Sequence, residues 1–268
     1  MEKIFNMTIQ RALAEAKRGN VQAMLQVADF YSRKMNREDD HYADNLSLAL
    51  KWYEKAAQTG DVYALEMTSS GYAIFAEASI QIGAYEDSLR EWTQVYRYAL
   101  PLTSYPGYPR ARRRQMHEQV MKSMYKAAYC NCLLNRYDEA LDILEKMSPE
   151  PYSKEMMLKG ICLFEVAEQV RDFEIAYDAL GYFDSLETFD CIRNAVDELE
   201  ELVFAKGYMF LSIYYRTGLA GIFRNMNRAY SILSIVSDKV TGDMAWNVIQ
   251  GELSHYRRKL FGGYQYIE

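Results

Sequence analysis

The chain has 268 residues, of which half are apolar and a quarter are charged, as is ordinary for a folded protein. Tyr is abundant at 23 residues, whereas the 5 Pro and 14 Gly are few enough to favour helices joined by short turns. A formal net charge of −6 argues against a general attraction to nucleic acid or to an anionic membrane. The N-terminus has no signal-peptide pattern, and no apolar run approaches the roughly 20 residues of a membrane span, so we expect a cytoplasmic protein with reduced cysteines.

Three helices are predicted at the start of the chain, because apolar residues recur there at three- and four-residue steps. They cover residues 3–18, about 21–34, and a stretch that begins at Asn45. The third helix places small and aromatic residues on one face: Ala49, Trp52, Tyr53, Ala56 and Ala57. Such a face suits close packing against a neighbouring helix, and a single unit of this kind cannot bury it alone.

The helix boundaries in this region repeat. Gly19-Asn20 ends one helix and starts the next, and Gly60-Asp61 does the same 41 residues later. Each glycine fits a left-handed helix end, and the Asn or Asp after it fits an N-cap. A period of this length is typical of helical repeat arrays.

These residues resemble a Sel1-like repeat, a pair of antiparallel helices closely related to tetratricopeptide (TPR) repeats. The resemblance covers 19–64, with Ala28 and Lys34 at positions where the family favours Gly, and with a longer loop at 35–44. Residues 124–147 resemble most of one TPR, through Ala127-Ala128 and the spacing of Tyr137, Ala140 and Leu144. A degenerate Sel1-like unit is also indicated near 211–229.

Further helices are predicted along the rest of the chain, at 64–82, 86–99, 110–134, 153–169, 172–184, 187–217 and 241–259. The proline-rich stretch Pro101–Pro109 predicts a non-helical connection. Asp184–Glu187 resembles a capping box. The apolar tail 261–268 is expected either to fold back, burying Phe261 and a tyrosine as a cap, or to dock a partner.

The resemblance implies an all-α, right-handed superhelical solenoid of antiparallel helix pairs, about a dozen helices in one domain, 1–268. Within it we expect Sel1-like repeats at 1–100, a TPR-like middle at 110–185, Sel1-like repeats with a capping helix at 186–260, and the tail at 261–268.

Candidate binding residues fall into two groups. Because the first helix of a TPR pair lines the concave face, the resemblance implies that Lys122, Tyr125, Tyr129 and Leu133 face a groove. The basic cluster Arg110, Arg112, Arg113 and Arg114 is suited to an acidic partner, since guanidinium groups pair well with carboxylates and phosphates. The alternative is a solvated first turn whose arginines pair with acidic neighbours.

No pattern predicts a reaction or a metal. Cys130-x-Cys132 lacks a second close pair and its members point to different sides of a helix, so core thiols are expected rather than zinc ligands. We expect no enzyme, no cofactor and no nucleic-acid site. By resemblance the chain is a scaffold or adaptor that binds another protein or peptide through its concave face; the alternative is a regulatory sensor whose groove binds a small peptide or other ligand and changes conformation.

Overall fold

In the part of the chain that it describes, the computed structural model consists of α-helices, one 3₁₀ turn and one short β-hairpin. It describes residues 2–35, 41–147, 153–183, 186, 190–259 and 262–267, with side chains from residue 9 onwards. Thirteen α-helices lie in these ranges, which confirms the predicted all-α fold of about a dozen helices. None of them is both long and apolar enough to cross a membrane.

The chain divides into two compact units, Met1–Cys130 and Asn131–Glu268. Unit 1 contains α1 (Glu2–Lys17), α2 (Val21–Arg33), α3 (Tyr42–Ala57), α4 (Val62–Gln81), α5 (Tyr85–Thr103) and most of α6 (Arg110–Leu133). Unit 2 contains the end of α6, then α7 (Tyr137–Met147), α8 (Lys154–Val170), α9 (Phe173–Phe183), α10 (Asp190–Arg193), α11 (Glu198–Thr217), a 3₁₀ turn (Leu219–Gly221), α12 (Met226–Ser237), α13 (Asp243–Leu253), β1 (Tyr256–Arg258) and β2 (Tyr264–Tyr266).

The repeated helix boundaries of unit 1 have the predicted geometry. Gly19 and Gly60 adopt φ angles of 95° and 84°, which residues with a Cβ rarely reach. The side chains that follow then cap the next helix: Asn20 accepts from the backbone N–H of Ala23 at 3.1 Å, and Asp61 accepts from that of Ala64 at 2.9 Å. These contacts start α2 and α4 in the same way.

The core of unit 1 is built by sequential packing of α1 to α5, each helix against the next. The predicted face of α3 is buried: Ala49, Trp52, Tyr53, Ala56 and Ala57 are each at most 7 % exposed. Alanines beside the large rings let the neighbouring helices approach closely, as the sequence predicted.

Unit 2 places α8 and α11 at its centre. Helix α8 packs against α7, α9 and α11, and α11 also packs against α12 and α13. The rings of Phe164 and Phe210 stack with centroids 4.2 Å apart, and Phe183 meets both edge-on. Gly207 lies so close to Met157 that an added Cβ would collide with its thioether.

The predicted non-helical connection at Pro101–Pro109 begins too early. Helix α5 continues through Pro101 to Thr103. Proline lacks only the N–H of its own residue, and just two helical residues follow it, so few hydrogen bonds are lost. The fully buried Leu102 anchors this last turn in the core.

Two helices predicted near the C-terminus are also wrong in extent. The stretch 187–217 contains the short α10 and then α11, which restarts because Asp197 caps the N–H of Glu200 at 2.8 Å. The last helix ends at Leu253 rather than Lys259, and residues 256–258 pair as β1 with β2, with Tyr256 opposite Tyr266.

Several predictions concern residues outside the described ranges. They are residues 36–40 of the long loop at 35–44, Asp184, Ser185 and Glu187 of the capping box, and the burial of Phe261. The described part of the tail does fold back, since Tyr264 stacks on Tyr230 of α12 with centroids 3.6 Å apart.

Candidate functional site

Helix α6 carries every residue that the sequence predicted as a partner contact. At 24 residues it is the longest helix in the described ranges. Its N-terminal part lies in unit 1, where it borders a groove formed with α4 and α5.

Two of the four predicted arginines are held by acidic side chains. Arg112 Nη1 lies 2.5 Å from Glu66 Oε1, and Glu66 Oε2 accepts from the Tyr108 hydroxyl at 2.6 Å. Arg114 pairs with Glu118 one turn later at 3.1 Å, on the solvent side of α6. For these two residues the structure matches the alternative that the arginines pair with acidic neighbours.

The other two arginines remain available. Arg110 and Arg113 are exposed, and neither forms an ion pair with any residue of the described ranges. They lie three residues apart and so on one side of the helix. Cations at a helix N-terminus are not favoured by the helix dipole. These two side chains therefore present unneutralised positive charge at the N-terminal end of the helix whose later turns line the groove.

A groove of about 340 Å³ lies between α4, α5 and α6 in unit 1. It is lined by Ser70 and Ala73 of α4, Trp92 of α5, and Gln115, Glu118, Gln119 and Lys122 of α6. Its size fits a few side chains of a bound segment rather than a whole domain. The arginine cluster and the groove both belong to α6.

A charged cluster fixes the groove wall. Glu77 of α4 pairs with Lys122 Nζ at 2.9 Å and with Lys126 Nζ at 3.4 Å. Lys126 is only 5 % exposed, so its partner is needed to offset the loss of hydration. Lys122 is exposed, and its ammonium lies 5.6 Å from the ring centroid of Trp92. The arrangement holds Lys122 over an aromatic face at the edge of the groove.

The floor of the groove contains a buried donor. Trp92 is fully buried, and its indole N–H finds no acceptor among the described residues. Beside it, Gln119 Nε2 donates to Ser69 Oγ at 3.0 Å, and Ser69 donates to the carbonyl of Val95 at 3.2 Å. An unused buried N–H is costly to leave unpaired. Because the indole nitrogen is itself inaccessible, this unpaired N–H is a cost to the stability of unit 1 rather than a contact open to a bound segment.

The remaining predicted groove residues lie deeper. Tyr125 and Tyr129 are 3 % and 4 % exposed, and Leu133 is half-buried. Their role in binding stays a prediction. Of the four residues projected from the TPR pattern, only Lys122 offers a charged group at the surface of this groove.

The sequence did not predict that Glu77 and Trp92 belong to this site. Trp92 lies within the helix predicted at 86–99, and no motif distinguishes it or Glu77. A signal was present: Lys122 and Lys126 are one turn apart among apolar residues, which predicts a facing carboxylate. Which helix supplies that carboxylate depends on packing between residues about 45 positions apart.

The abundant tyrosines of unit 1 form a second feature, which is structural. Glu54 Oε1 accepts from the hydroxyls of Tyr72 at 3.2 Å and Tyr98 at 3.1 Å, and the two rings stack with centroids 6.1 Å apart. Burial and then the Glu54 charge raise the pKa of both hydroxyls to about 12. We call this arrangement, one carboxylate accepting from tyrosine hydroxyls of later elements, a tyrosine clasp.

Two similar clasps are formed by carboxylates that precede and follow Glu54 in the chain. Asp29 of α2 accepts from Tyr53 at 2.5 Å and from Tyr63 at 3.1 Å. Glu66 of α4 accepts from Tyr108, whose pKa burial and the carboxylate raise to about 12. The clasps join α2 to α3 and α4, α3 to α4 and α5, and α4 to the segment before α6. Five tyrosines of unit 1 thus link successive helices.

The four cysteines are free, three of them buried and Cys191 half-buried. The thiol of Cys162 hydrogen-bonds to Cys132, which lowers the pKa of Cys132 and raises that of Cys162. Burial raises the pKa of Cys130. No group of three or more His, Cys, Asp or Glu side chains that could hold a metal occurs in the described ranges.

A larger cavity, about 490 Å³, lies at the start of α11 and α13 in unit 2. Its buried carboxylate, Glu201, already accepts from the backbone N–H groups of Thr241 at 2.6 Å and Gly242 at 2.8 Å. Glu201 therefore caps α13, and both of its oxygens are occupied. This carboxylate is part of the fold rather than a free group for a ligand.

Comparison of the chain with models of known protein families finds no match, and comparison with curated proteins finds none. The resemblance to Sel1-like and TPR repeats therefore stays a prediction.

Proposed function

We propose that the chain is a non-catalytic adaptor that binds an acidic segment of another protein, or an acidic peptide, along α6 of unit 1. The observation that carries the proposal is the pair of exposed, unneutralised guanidinium groups, Arg110 and Arg113, on the helix that lines the groove. Guanidinium groups pair well with carboxylates and steer their approach.

The groove supports the same interpretation. A segment in it would meet the amide groups of Gln115 and Gln119 and the ammonium of Lys122, which bind carbonyl and carboxylate oxygens. Binding would then combine long-range attraction at the arginines with short-range hydrogen bonds in the groove.

The proposal includes the architecture and the setting. Within each unit the helix pairs stack as right-handed Sel1-like and TPR-like repeats, and the groove is part of a concave face. The sequential packing of α1 to α5 supports this, since each helix contacts mainly its neighbours in the chain. The protein acts in the cytoplasm. No reaction is assigned to the chain.

A regulatory sensor is the alternative, and the contact between Lys122 and Glu77 favours it. Because this pair joins α6 to α4, a ligand carboxylate that competes for Lys122 would weaken the link between the two helices. A sensor predicts that a bound ligand changes the hydrodynamic radius, whereas an adaptor binds its partner without such a change.

Charge reversal tests the proposal. A partner identified by affinity purification with the full chain is measured against wild type and against Arg110→Glu/Arg113→Glu at low and high salt. We expect slower association of the variant at low salt and a smaller difference at high salt. Lys17→Glu/Arg18→Glu is the matched control, because both residues are exposed and the charge change is the same. Wild-type association of the arginine variant at both salt concentrations would refute the proposal.

A further inference from the structure

Helix α9 of unit 2 exposes aromatic side chains to solvent. Phe173 is 57 % exposed and Tyr177 is 62 % exposed, and Val170, at the end of the preceding helix, is 60 % exposed. Phe173 and Tyr177 are four residues apart and therefore lie on the same side of α9. Large apolar groups that cluster at the surface mark interaction sites more often than isolated ones do.

This surface is not needed to build unit 2. Helix α9 buries a different side, formed by Ala176, Ala179 and Phe183. The carbonyl of Ala176 accepts the Tyr214 hydroxyl at 2.6 Å, which fixes that side against α11. The exposed aromatic side is thus held on a rigid element and remains open.

The aromatic side is bordered by acidic residues. Residues 168–178 contain four acids and the single base Arg171. Among the acids, Glu174 and Asp178 follow Phe173 and Tyr177 directly, are exposed, and form no ion pair with any residue in the described ranges. The surface therefore combines an apolar stripe with uncompensated negative charge along one edge.

We propose that this side of α9 docks an amphipathic helix of another protein that carries basic residues beside an apolar stripe. Aromatic anchor residues contribute most of the affinity at such interfaces, and complementary charges orient the partner and increase the rate of association. Gly181, one turn beyond Tyr177, has no atom within 4 Å of where its Cβ would stand, so a partner side chain has room there.

Charge argues against two other occupants. Two copies of the chain joined through α9 would bring two acidic edges face to face, and like charges across an interface are repulsive. An anionic membrane would be repelled by the same acids. A basic helix is the occupant whose charge complements the site.

The α9 site is independent of the α6 groove, since the two lie in different units and use opposite charge. If both hold, the chain joins an acidic segment at unit 1 to a basic helix at unit 2. Variants at Arg110 and Arg113 test only the first site, and variants at Phe173 and Tyr177 test only the second.

The test uses a synthetic helical peptide of about 18 residues, roughly five turns, with Leu at positions 1, 5, 8 and 12 and Lys beside them. Binding of the full chain is followed by fluorescence anisotropy of the labelled peptide. Phe173→Ala/Tyr177→Ala should weaken binding at least about thirtyfold, as truncation of interface anchors does. Glu174→Lys/Asp178→Lys should also weaken it, most strongly at low salt.

The matched control is Ile82→Ala, which removes an 80 % exposed apolar side chain from unit 1 and should leave binding unchanged. Circular dichroism verifies that each variant is folded. The proposal is overturned if the aromatic variant binds like wild type, or if the same peptide with Glu in place of Lys binds equally well. It is also overturned if sedimentation shows a wild-type dimer that the aromatic substitutions dissolve, because a second copy would then be the occupant.

Discussion

Tyr98 and Glu54 lie 44 residues apart in the sequence and are joined by a hydrogen bond of 3.1 Å from the tyrosine hydroxyl to the carboxylate. The same oxygen accepts from Tyr72. One carboxylate of α3 thus holds α4 and α5 in place. If the clasp positions these helices, it also supports the groove that α4 and α5 form with α6.

The first prediction concerns this clasp. Tyr98→Phe removes the hydroxyl but keeps the ring, and it should lower the free energy of unfolding by about 1.5–3 kcal/mol, the range for hydrogen bonds to a charged group. Urea unfolding measures the change. Tyr96→Phe, on an exposed position of the same helix, is the control and should be neutral. Equal stability of the two variants would show that the Glu54 contact contributes nothing.

The second prediction concerns alkaline pH. The pKa of Tyr72, Tyr98 and Tyr108 is raised to about 12 in the folded chain, against about 10 when unfolded. Folding therefore favours the protonated hydroxyls; this stability is present in full below pH 10 and is lost as pH rises from about 10 to 12. Absorbance at 295 nm should show a late-ionising class of tyrosines, and urea unfolding should show decreasing stability above pH 10. Uniform ionisation near pH 10 would contradict the clasps.

The third prediction concerns packing in unit 2. Gly207→Ala places a methyl group against Met157 and should cost about 1–3 kcal/mol, as overpacking of a core does. Gly251→Ala is the matched control on α13, where no atom lies within 4 Å of the added methyl. That variant should be stabilised by about 0.5–1 kcal/mol, because Ala favours helix over Gly. Thermal melts of both variants measure the difference. If Gly207→Ala is no less stable than wild type, the close contact between Gly207 and Met157 is refuted.

The fourth prediction concerns the tail. Tyr264 stacks on Tyr230, and the guanidinium of Arg216 lies 3.7 Å from the ring centroid of Tyr266. Deletion of residues 261–268 removes both contacts and β2, so the melting temperature of the isolated protein should fall clearly. Gln265→Ala, at the exposed position of β2, is the control. Unchanged stability with lost association would instead assign the tail to partner docking.

The sequence predicted features that depend on neighbouring residues. Helix boundaries at Gly19-Asn20 and Gly60-Asp61 follow from backbone and capping chemistry, and the buried face of α3 follows from helical spacing. The β-hairpin was missed because Tyr256 also fits a helical stripe and its partner, Tyr266, is supplied by the tail. Features that join distant helices, such as Glu77 with Lys122 and Lys126, required the tertiary arrangement.

The same limit applies to the candidate sites. The basic cluster was visible in the sequence, but which arginines are neutralised was not, since Glu66 lies 46 residues from Arg112. The exposure of Phe173 and Tyr177 was also hidden, because aromatic residues at helical spacing are more often buried than exposed.

Site-specific crosslinking tests the central claim, that α6 binds a partner, most directly. Gln115, an exposed residue of the groove wall, is replaced with p-benzoylphenylalanine in the full chain, and the same amino acid is placed at the exposed Lys51 of α3 as the control. After irradiation in cells, crosslinked peptides are identified by mass spectrometry. The account predicts that position 115 crosslinks to an acidic segment of one protein, that position 51 does not, and that Arg110→Glu/Arg113→Glu abolishes the product. Crosslinks that are equal at both positions, or that persist in the arginine variant, would contradict it.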